Sequence, residues 1–518
     1  MKKRILWVDD EIASLLSQVT ILENYGYSVK EVTSGHDALA MIERENFDLV
    51  LLDEQMPGID GMETFKRIRL HSPHVPVVMV TKSEDIALVD EAFGNRMDDF
   101  LIKPINPRQL LATVKRVIDR QSIISVKLAE EYTKEIQEIT KDRLVGINWN
   151  DWIEIHKNLS KWDITFQDLN DKNIKRTHLD TKKSFNVQFC KYIENNYTKW
   201  LKDKEENKPP LSVDIMKNFV FPLLRRNKKV VFILLDSMRL DQWKAIEKLI
   251  QNYYRIENHC YYSILPTATP YSRNAVFSGL FPSDMSRFYP EYWQQWSEGS
   301  QNRFEKEYLI ELLKREGIKL VKPPQYLKIL NSEESSRLPH IVKNWYNIPF
   351  AAIVVNFIDI LLHSRFGSDV IKEMTYDNDS LRALTVTWFL NSFLFEAMRI
   401  MAGYGITIVV TSDHGSIMVE NGAEIEAGKD VSVNLRYKHG TTIRCNRKMA
   451  ILITEPLKFK LPQENVHKKY AIAKEDYFFV YPTHVHQYQK RYKGTFQHGG
   501  ISLEEIILPV AILSPHVK

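Results

Sequence analysis

The sequence predicts an α/β protein in which two sheet-containing regions are joined by a helical segment. Short runs of Val, Ile and Leu, typical of buried strands, occur before residue 120 and again after residue 209. Segments with helical periodicity separate these runs, which indicates parallel sheets with right-handed crossovers. Many of the runs stop at an aspartate or a histidine. Because α/β folds place functional groups at the carboxyl ends of parallel strands, we expect one site in each region.

Composition excludes several classes of protein. The 518 residues are 44% hydrophobic and 26% charged, which is ordinary for a soluble globular chain. The formal net charge of +4 is too small to indicate a strongly basic surface for nucleic acid or membranes. Cys190, Cys260 and Cys445 lie far apart, which fits a reducing compartment and argues against disulfides or thiolate metal sites. With no signal-peptide pattern and no long apolar run, we expect a cytoplasmic protein without membrane insertion.

The first region contains four strand-like runs that end in polar residues. "RILWV" runs into Asp9 and Asp10, "FDLVLLD" ends at Asp53, "VPVVMVT" ends at Thr81, and "DDFLIKP" ends near Lys103. Helical patterns separate the runs, and the last of these is "DIALVDEAFGNR". Three carboxylates in one cleft repel each other unless a hard cation is bound, and oxygen ligands of this kind suit Mg²⁺. Lys103 and Thr81 are suited to hold a phosphoryl group on Asp53.

Residues 1–120 resemble a two-component receiver domain. The resemblance rests on "DD", the pattern D-x-x-M-P-x-x-D-G, Thr81 and "KP". It implies a flavodoxin-like fold, phosphorylation of Asp53 by a sensor histidine kinase, and a cis peptide bond before Pro104. The Mg²⁺ ligands that it implies are Asp9, Asp10, Asp53 and the main-chain carbonyl of Gln55. The residues that it implies respond to phosphorylation are Thr81, Phe100 and Lys103.

Residues 121–208 are expected to form a helical linker domain. Leu128, Tyr132, Ile136 and Ile139 share one helical face, and the charged segment "KDKEENKPP" marks the end of the linker. The polar stretch "DLNDKNIKRTHLDTKK" is expected to be a loop between helices. Basic residues here alternate with acidic ones, which favours a solvated surface. No helix-turn-helix pattern follows the receiver, so we expect no sequence-specific DNA binding.

Residues 209–518 return to the α/β pattern and contain the second group of polar residues at strand ends. They are Asp236 in "KKVVFILLD", Asp359 and His363 in "AAIVVNFIDILLH", Asp413 and His414 in "VVTSDHGS", and His498 in "FQHGG". Asp and His four residues apart lie on one face of a helical turn. Carboxylates and imidazoles without thiolates favour zinc, or manganese, in an open catalytic site. Any one of these histidines alone is more simply explained as a hydrogen-bonded core residue.

A nucleophile is expected in "PTATPYSRN", where a turn leads into a helix that starts near Tyr271. A hydroxyl at a helix N-terminus lies in a field that favours anions, and a metal ion would lower its pKa. Thr267, Thr269 and Ser272 are all candidates for this hydroxyl. The alternative is an ordinary threonine-capped helix.

This region resembles the alkaline phosphatase superfamily, and "PTATP…SGLFP" is similar to the nucleophile segment of nucleotide pyrophosphatases/phosphodiesterases. The resemblance implies that Thr269 is the nucleophile and bridges two zinc ions. The ligands implied for one zinc are Asp359, His363 and His498. The ligands implied for the other are Asp236, Asp413 and His414. The asparagine that often contacts phosphate in that family has no evident equivalent, and the candidates to replace it are Arg273, Asn274, Lys438 and His439.

The closest resemblance of residues 209–518 is to the PglZ-type branch of this superfamily, and the order of regions resembles PorX-type response regulators of Bacteroidota. It implies a zinc-dependent phosphodiesterase acting on oligonucleotides, a homodimer promoted by phosphorylation, and a link to type IX secretion and gliding. The alternative is a zinc-containing scaffold, gated by phosphorylation, that binds a sigma factor or a secretion component. The sequence does not separate diesterase from monoesterase activity.

Overall fold

The computed structural model describes residues 2–72, 75–82, 97–143, 146–167, 169, 171–202, 207–293, 302–364, 368–428 and 431–516. The helix expected in "DIALVDEAFGNR" lies outside these residues. The chain forms two compact units, the first comprising Met1–Asp142 with Asp168–Lys175, and the second Arg143–Gln167 with Arg176–Lys518. In the described part of the chain, no helix has the length and apolar content needed to span a membrane.

The first unit contains a five-stranded parallel sheet with strand order β2-β1-β3-β4-β5. The strands are β1 Arg4–Val8, β2 Ser28–Val32, β3 Leu49–Asp53, β4 Val77–Thr81 and β5 Asp99–Ile102. The helices are α1 Leu16–Asn24, α2 Gly35–Arg44, α3 Gly61–His71 and α4 Pro107–Arg143. This is the expected flavodoxin-like fold. Strand β2 was not among the predicted strands because, at the edge of the sheet, it keeps polar side chains exposed.

Alternate residues of the inner strands fill two hydrophobic cores. Ile5 and Trp7 of β1 belong to one core, and Leu6 and Val8 belong to the other. Both faces of the sheet are therefore covered, as parallel sheets require. This is why the strands appear in the sequence as continuous apolar runs rather than as alternating patterns.

Two long helices follow, α5 Trp149–Gln167 and α6 Lys172–Trp200. The prediction of a loop in "DLNDKNIKRTHLDTKK" was wrong, because α6 already begins at Lys172. Two of its polar residues are buried: His178 Nε2 lies 3.1 Å and Lys182 Nζ 2.8 Å from the carboxylate of Asp163 on α5. The polarity of this stretch therefore has two sources, since His178 and Lys182 form buried ion pairs while other polar residues, such as Arg176 and Asp180, are exposed on the helix surface.

The second unit is built on a six-stranded mixed sheet with strand order β7-β19-β10-β6-β9-β8. Strands β6, β8, β9 and β10 are parallel, whereas β19 runs antiparallel to both β10 and β7. These strands are β6 Val230–Leu235, β7 Tyr254–Tyr262, β8 Gln325–Ile329, β9 Phe350–Val355, β10 Thr407–Thr411 and β19 Ile507–Pro515. Because β6, β9 and β10 are parallel neighbours, their carboxyl ends meet at one edge of the sheet.

Smaller sheets and helices surround this sheet. The remaining strands are β11 Ile417–Val419, β12 Asn421–Ala427, β13 Tyr437–Gly440, β14 Ile443–Cys445, β15 Ala450–Ile453, β16 Lys469–Ala473, β17 Tyr477–Val480 and β18 Thr495–Gln497. The remaining helices are α7 Phe221–Arg225, α8 Leu240–Ile250, α9 Thr269–Ser278, α10 Pro282–Phe288, α11 Glu305–Arg315, α12 Ser332–Lys343, α13 Phe357–Ser364, α14 Asp369–Met374, α15 Asn378–Leu390, α16 Phe393–Gly403, α17 Val485–Tyr492 and α18 Leu503–Ile506.

Candidate metal centre and nucleophile

The six carboxylate and imidazole residues predicted from strand ends lie in two adjacent clusters. We call Asp236, Asp413 and His414 the inner cluster, and Asp359, His363 and His498 the outer cluster. Within each cluster, one candidate ligand atom per residue lies within 4.8 Å of the others. The rings of His414 and His498 stack with their centroids 4.2 Å apart, so the two clusters are neighbours.

The topology of the sheet explains how the clusters form. Asp236 directly follows β6, and Asp413 and His414 follow β10, which is the parallel neighbour of β6. Helix α13 follows β9, so Asp359 and His363 lie at the same edge of the sheet. His498 follows β18, which pairs with β11 just beyond His414.

The two clusters differ in their access to solvent. All three residues of the inner cluster are buried, and His414 Nε2 lies 3.5 Å from Asp236 Oδ1 and 3.7 Å from Asp413 Oδ2. In the outer cluster the His363 side chain is 58% exposed, and its Nε2 lies 3.4 Å from Asp359 Oδ1. An incoming molecule therefore reaches the outer cluster first.

The clusters have the chemistry of a metal centre. Asp236 Oδ1 and Asp413 Oδ2 are buried and accept no hydrogen bond from a described residue, whereas Asp236 Oδ2 lies 3.1 Å from Arg273 Nη1. Burial raises the pKa of Asp236 well above its usual value and that of Asp413 to about 6. Burial also lowers the pKa of His414 and His498, which favours the neutral imidazoles that bind metals. Buried carboxylate oxygens that accept no hydrogen bond fit a divalent cation.

Thr269 is the candidate hydroxyl that lies at the inner cluster. It is the first residue of α9, and its Oγ1 lies 2.9 Å from His414 Nε2. The two competing hydroxyls have other partners. Thr267 Oγ1 donates to the carbonyl of Gly500 at 2.8 Å, and Ser272 Oγ donates to the carbonyl of Ala268 at 3.0 Å.

Arg273 and Asn274, two candidates for phosphate contact, are buried and already have protein partners. Arg273 Nη1 lies 3.1 Å from Asp236 Oδ2, and its Nε lies 2.9 Å from Glu305 Oε1. The Asn274 amide donates to the carbonyl of Pro270 at 2.9 Å. The geometry gives Arg273 the role of partly neutralising the inner cluster.

Lys438 and His439 belong to β13 in the small sheet β13-β16-β15. Lys438 Nζ donates to the carbonyl of Ser432 at 2.9 Å, and burial lowers the pKa of Lys438 to about 8. The His439 ring lies 5.5 Å from that of Tyr470. These contacts tie both residues to the small sheet rather than to either cluster.

Asn302 is a residue of the site that sequence reasoning missed. Its side-chain amide donates to the main-chain carbonyl of Thr269 at 3.0 Å. The main-chain carbonyl of Asn302 accepts from Lys328 Nζ at 3.1 Å. Lys328 also lies 3.0 Å from Glu305, the partner of Arg273. Asn302 is 33 residues from Thr269 in sequence and no motif surrounds it, so only the fold shows that the two residues meet.

The predicted residues of the first unit form a separate acidic site. Asp9, Asp10 and Asp53 lie together at the ends of β1 and β3, with candidate ligand atoms within 4.8 Å of one another. Lys103 Nζ lies 2.8 Å from Asp9 and 2.9 Å from Asp53, and the peptide bond from Lys103 to Pro104 is cis, as the resemblance implied. Burial raises the pKa of Asp53. A cation close to the buried carboxylate of Asp53 is suited to stabilise added negative charge there.

The other predicted residues of the first unit lie around this acidic site. Gln55 is exposed, two residues beyond the end of β3. The Thr81 hydroxyl, at the end of β4, donates to the Glu54 carboxylate. Phe100 on β5 is half-buried beside Met79 of β4.

The raised pKa values make the stability of the metal-free protein depend on pH. Asp413 titrates at about 6 in the folded chain, above its usual 3.8, so the folded state binds this proton more tightly than the unfolded state does. Its contribution to stability is therefore complete below pH 3.8 and is lost as the pH rises through 6. We expect thermal unfolding of chelator-treated protein to show this loss and Asp413→Asn to reduce it. An unchanged pH profile in that variant would contradict the assignment.

Comparison with known proteins identifies three segments. Residues 5–115 match the response regulator receiver domain, residues 122–201 the PorX response regulator linker domain, and residues 215–513 the BREX system PglZ alkaline phosphatase-like domain. The first of these segments has many curated relatives. ResD, a transcriptional regulatory protein of Bacillus subtilis, is 35% identical over 133 residues, which are 26% of this chain and 55% of ResD.

Two further relatives match the same segment. The sensor histidine kinase GacS of Pseudomonas protegens is 42% identical over 120 residues, covering 21% of this chain and 13% of GacS. The CheY-like receiver structure from Methanospirillum hungatei is 35% identical with a TM-score of 0.23, covering 24% of this chain and 98% of that one. The chain therefore spans only about half of ResD and a small part of GacS.

The PglZ match alone extends over more than half of the chain, and it follows a receiver and a PorX linker. The residues of that segment include both clusters and Thr269. The chain therefore belongs to the PglZ family of alkaline phosphatase-like domains, in the form of a PorX-type response regulator.

Proposed function

We propose that this response regulator has a zinc-dependent phosphodiesterase as its output, acting on nucleotide or oligonucleotide phosphodiesters. A sensor histidine kinase would control it by phosphorylating Asp53. One observation carries the enzymatic part of this proposal: the Thr269 hydroxyl lies 2.9 Å from His414, beside two neighbouring clusters of carboxylates and imidazoles. A hydroxyl in that position is suited to attack phosphorus.

The residues that would hold the metals follow from the clusters. The inner cluster would hold one zinc ion together with Thr269, and the outer cluster would hold a second. The receiver would hold Mg²⁺ with Asp9, Asp10, Asp53 and the Gln55 carbonyl. Bound zinc would supply Lewis-acid chemistry, favouring ionisation of a hydroxyl and stabilising charge on phosphate oxygens.

The residues of the chain would carry the reaction in two steps. Thr269 Oγ1 would lose its proton to solvent and form a bond to phosphorus as the bond to the leaving alkoxide breaks, and that alkoxide would take up a proton from solvent. Water then attacks the phosphothreonine diester, restoring the Thr269 hydroxyl and releasing a phosphate monoester. Asn302 holds the carbonyl of Thr269 and so fixes the first turn of α9. We propose that Asn302 is a positioning residue, a role distinct from the phosphate contact for which Asn274 was a candidate.

The direct test is hydrolysis of bis-p-nitrophenyl phosphate by zinc-loaded protein. We expect Thr269→Val to lose at least about 100-fold in turnover, since it removes the attacking hydroxyl. Metal content should persist in this variant because all six Asp and His ligands remain. Thr269→Ser keeps a hydroxyl and is the matched control. Equal turnover by wild type and Thr269→Val would show that Thr269 is not the nucleophile.

The receiver should control the output without building its metal centre. We expect Asp53→Ala to leave zinc content unchanged, because Asp53 belongs to neither cluster. The variant should lose the response to beryllofluoride, which mimics a phosphoryl group. Sedimentation should show that beryllofluoride promotes a homodimer in wild type and not in the variant. Loss of zinc from Asp53→Ala would contradict the separation of switch and output.

The wider role rests on the resemblance to PorX-type regulators. It includes a cytoplasmic location, a link to type IX secretion and gliding, and a sigma factor or secretion component as partner. Hydrolysis and partner binding are compatible functions, because the receiver and the metal clusters use different residues. Thr269→Val provides the test: a partner that still binds the variant depends on the scaffold and not on turnover.

A further inference from the structure

Helix α6 is hydrogen-bonded to the loop that carries His498. Cys190 Sγ donates to the carbonyl of Ile501 at 3.1 Å. Asn186 contacts α18, the helix that follows this loop: its amide oxygen accepts from the main-chain nitrogen of Leu503 at 2.7 Å, and its amide nitrogen donates to the Glu504 carboxylate at 3.0 Å. Asn186 and Cys190 are buried, so water does not compete for these hydrogen bonds.

The same helix is also hydrogen-bonded to the loop that precedes Thr269. The Tyr197 hydroxyl accepts from the main-chain nitrogen of Leu265 at 2.9 Å, four residues before the nucleophile. Asn186 and Tyr197 are eleven residues apart, which is about three helical turns, so both side chains lie on one face of α6. One face of a single helix therefore contacts both loops.

The two loops are also joined to each other. Thr267 Oγ1 donates to the carbonyl of Gly500 and accepts from the nitrogen of Gly499 at 3.2 Å. Lys182, also on α6, lies 3.3 Å from Glu504. Helix α6 contacts both loops, and the loops contact each other. A shift of α6 would therefore change the positions of Thr269 and His498 together.

We propose that Asn186 and Tyr197 are positioning residues, through which α6 sets the alignment of the Thr269 nucleophile with the metal ligand His498. This inference rests on the proposed function and names an element that controls it. Asn186 acts on the His498 side, so its loss should weaken metal binding at the outer cluster. Tyr197 acts on the Thr269 side, so its loss should slow attack while both metals stay bound. Asn186 acts through the main-chain nitrogen of Leu503 and the Glu504 carboxylate, and Tyr197 acts through the main-chain nitrogen of Leu265.

The experiment uses the full chain loaded with zinc. It compares Asn186→Ala and Tyr197→Phe with Asn195→Ala, an exposed asparagine on the same helix. A chromophoric chelator measures metal release, and bis-p-nitrophenyl phosphate measures kcat and KM. We expect Asn186→Ala to release one of two metals about tenfold faster, the scale typical of outer-shell partners. We expect Tyr197→Phe to lower kcat about tenfold with KM and metal release unchanged.

Release and kcat equal to those of Asn195→Ala in both folded variants would overturn the inference. If a thermal melt shows that Asn186→Ala does not fold, the kcat of Tyr197→Phe tests the inference. This variant should fold, because it keeps the ring that stacks on Phe459 with centroids 5.9 Å apart. If wild type hydrolyses no phosphodiester, the proposed function fails separately. Metal release from Asn186→Ala then decides the positioning role by itself.

Discussion

Replacing Gly415 with alanine should displace His414 and so disrupt metal binding at the inner cluster. A Cβ atom at Gly415 would overlap the carbonyl oxygen of Glu504 and lie 2.9 Å from its carbonyl carbon. Both are main-chain atoms, so no side-chain rotation relieves the clash. The loop after His414 must move away from α18, and overpacking of this kind costs roughly 1–3 kcal/mol. We expect loss of zinc and at least about a 100-fold drop in hydrolysis, in line with a displaced ligand.

Gly403 is the matched control for this prediction. It lies at the end of α16, where an added Cβ would meet nothing within 4 Å. Gly403→Ala should be neutral or slightly stabilising, because alanine is the better helix former by about 1 kcal/mol. Zinc content by elemental analysis and thermal unfolding compare the two variants. Full zinc content in Gly415→Ala would show that the packing of Gly415 on Glu504 does not fix His414.

Replacing Arg382 with methionine should strongly destabilise the second unit. Arg382 is fully buried, and its Nη1 lies 2.7 Å from Asp241. It also donates to Gln167 at 2.8 Å and to the carbonyl of Asp163 at 3.0 Å, both on α5. Its loss leaves Asp241 paired with Arg239 and takes a donor away from the oxygens of Gln167 and Asp163, and each buried acceptor left unsatisfied costs about 1–3 kcal/mol. We expect a clearly lower midpoint in denaturant unfolding.

Arg399→Met is the control for this change. Arg399 is exposed, and its guanidinium lies 5.4 Å above the Tyr253 ring. Exposed contacts of this kind contribute about 0.5–1 kcal/mol. A midpoint for Arg382→Met no lower than that of Arg399→Met would mean that Arg239, which already pairs with Asp241, is sufficient to compensate this buried carboxylate.

Residues at strand ends were the most predictable part of the molecule. The fold class is confirmed, because apolar runs that alternate with helical periods reflect a sheet covered on both faces. Asp236 and Asp413 could be placed at one edge of the sheet because the sequences of β6 and β10 are continuous apolar runs typical of buried strands. The choice of Thr269 among three hydroxyls needed the resemblance. The structure adds a physical reason, because Thr267 and Ser272 have other partners.

Contacts between distant segments were not predictable. Asn302 and Glu305 lie far from Thr269 and Asp236 in sequence, and neither belongs to a recognisable pattern. Helix α6 was mistaken in part for a loop, because His178 and Lys182 look solvated until Asp163 is placed opposite them. Buried polar pairs carry no periodic pattern of their own, so local sequence leaves them hidden.

The most direct measurement of the central claim is capture of the covalent phosphothreonine. Zinc-loaded protein would be mixed with bis-p-nitrophenyl phosphate, quenched in acid within the first turnover, digested and analysed by mass spectrometry. We expect a p-nitrophenyl phosphoryl group on the peptide that contains Thr269, and none in Thr269→Val. Turnover with Thr269 unmodified at every quench time, and undiminished in Thr269→Val, would contradict the claim that this hydroxyl is the nucleophile.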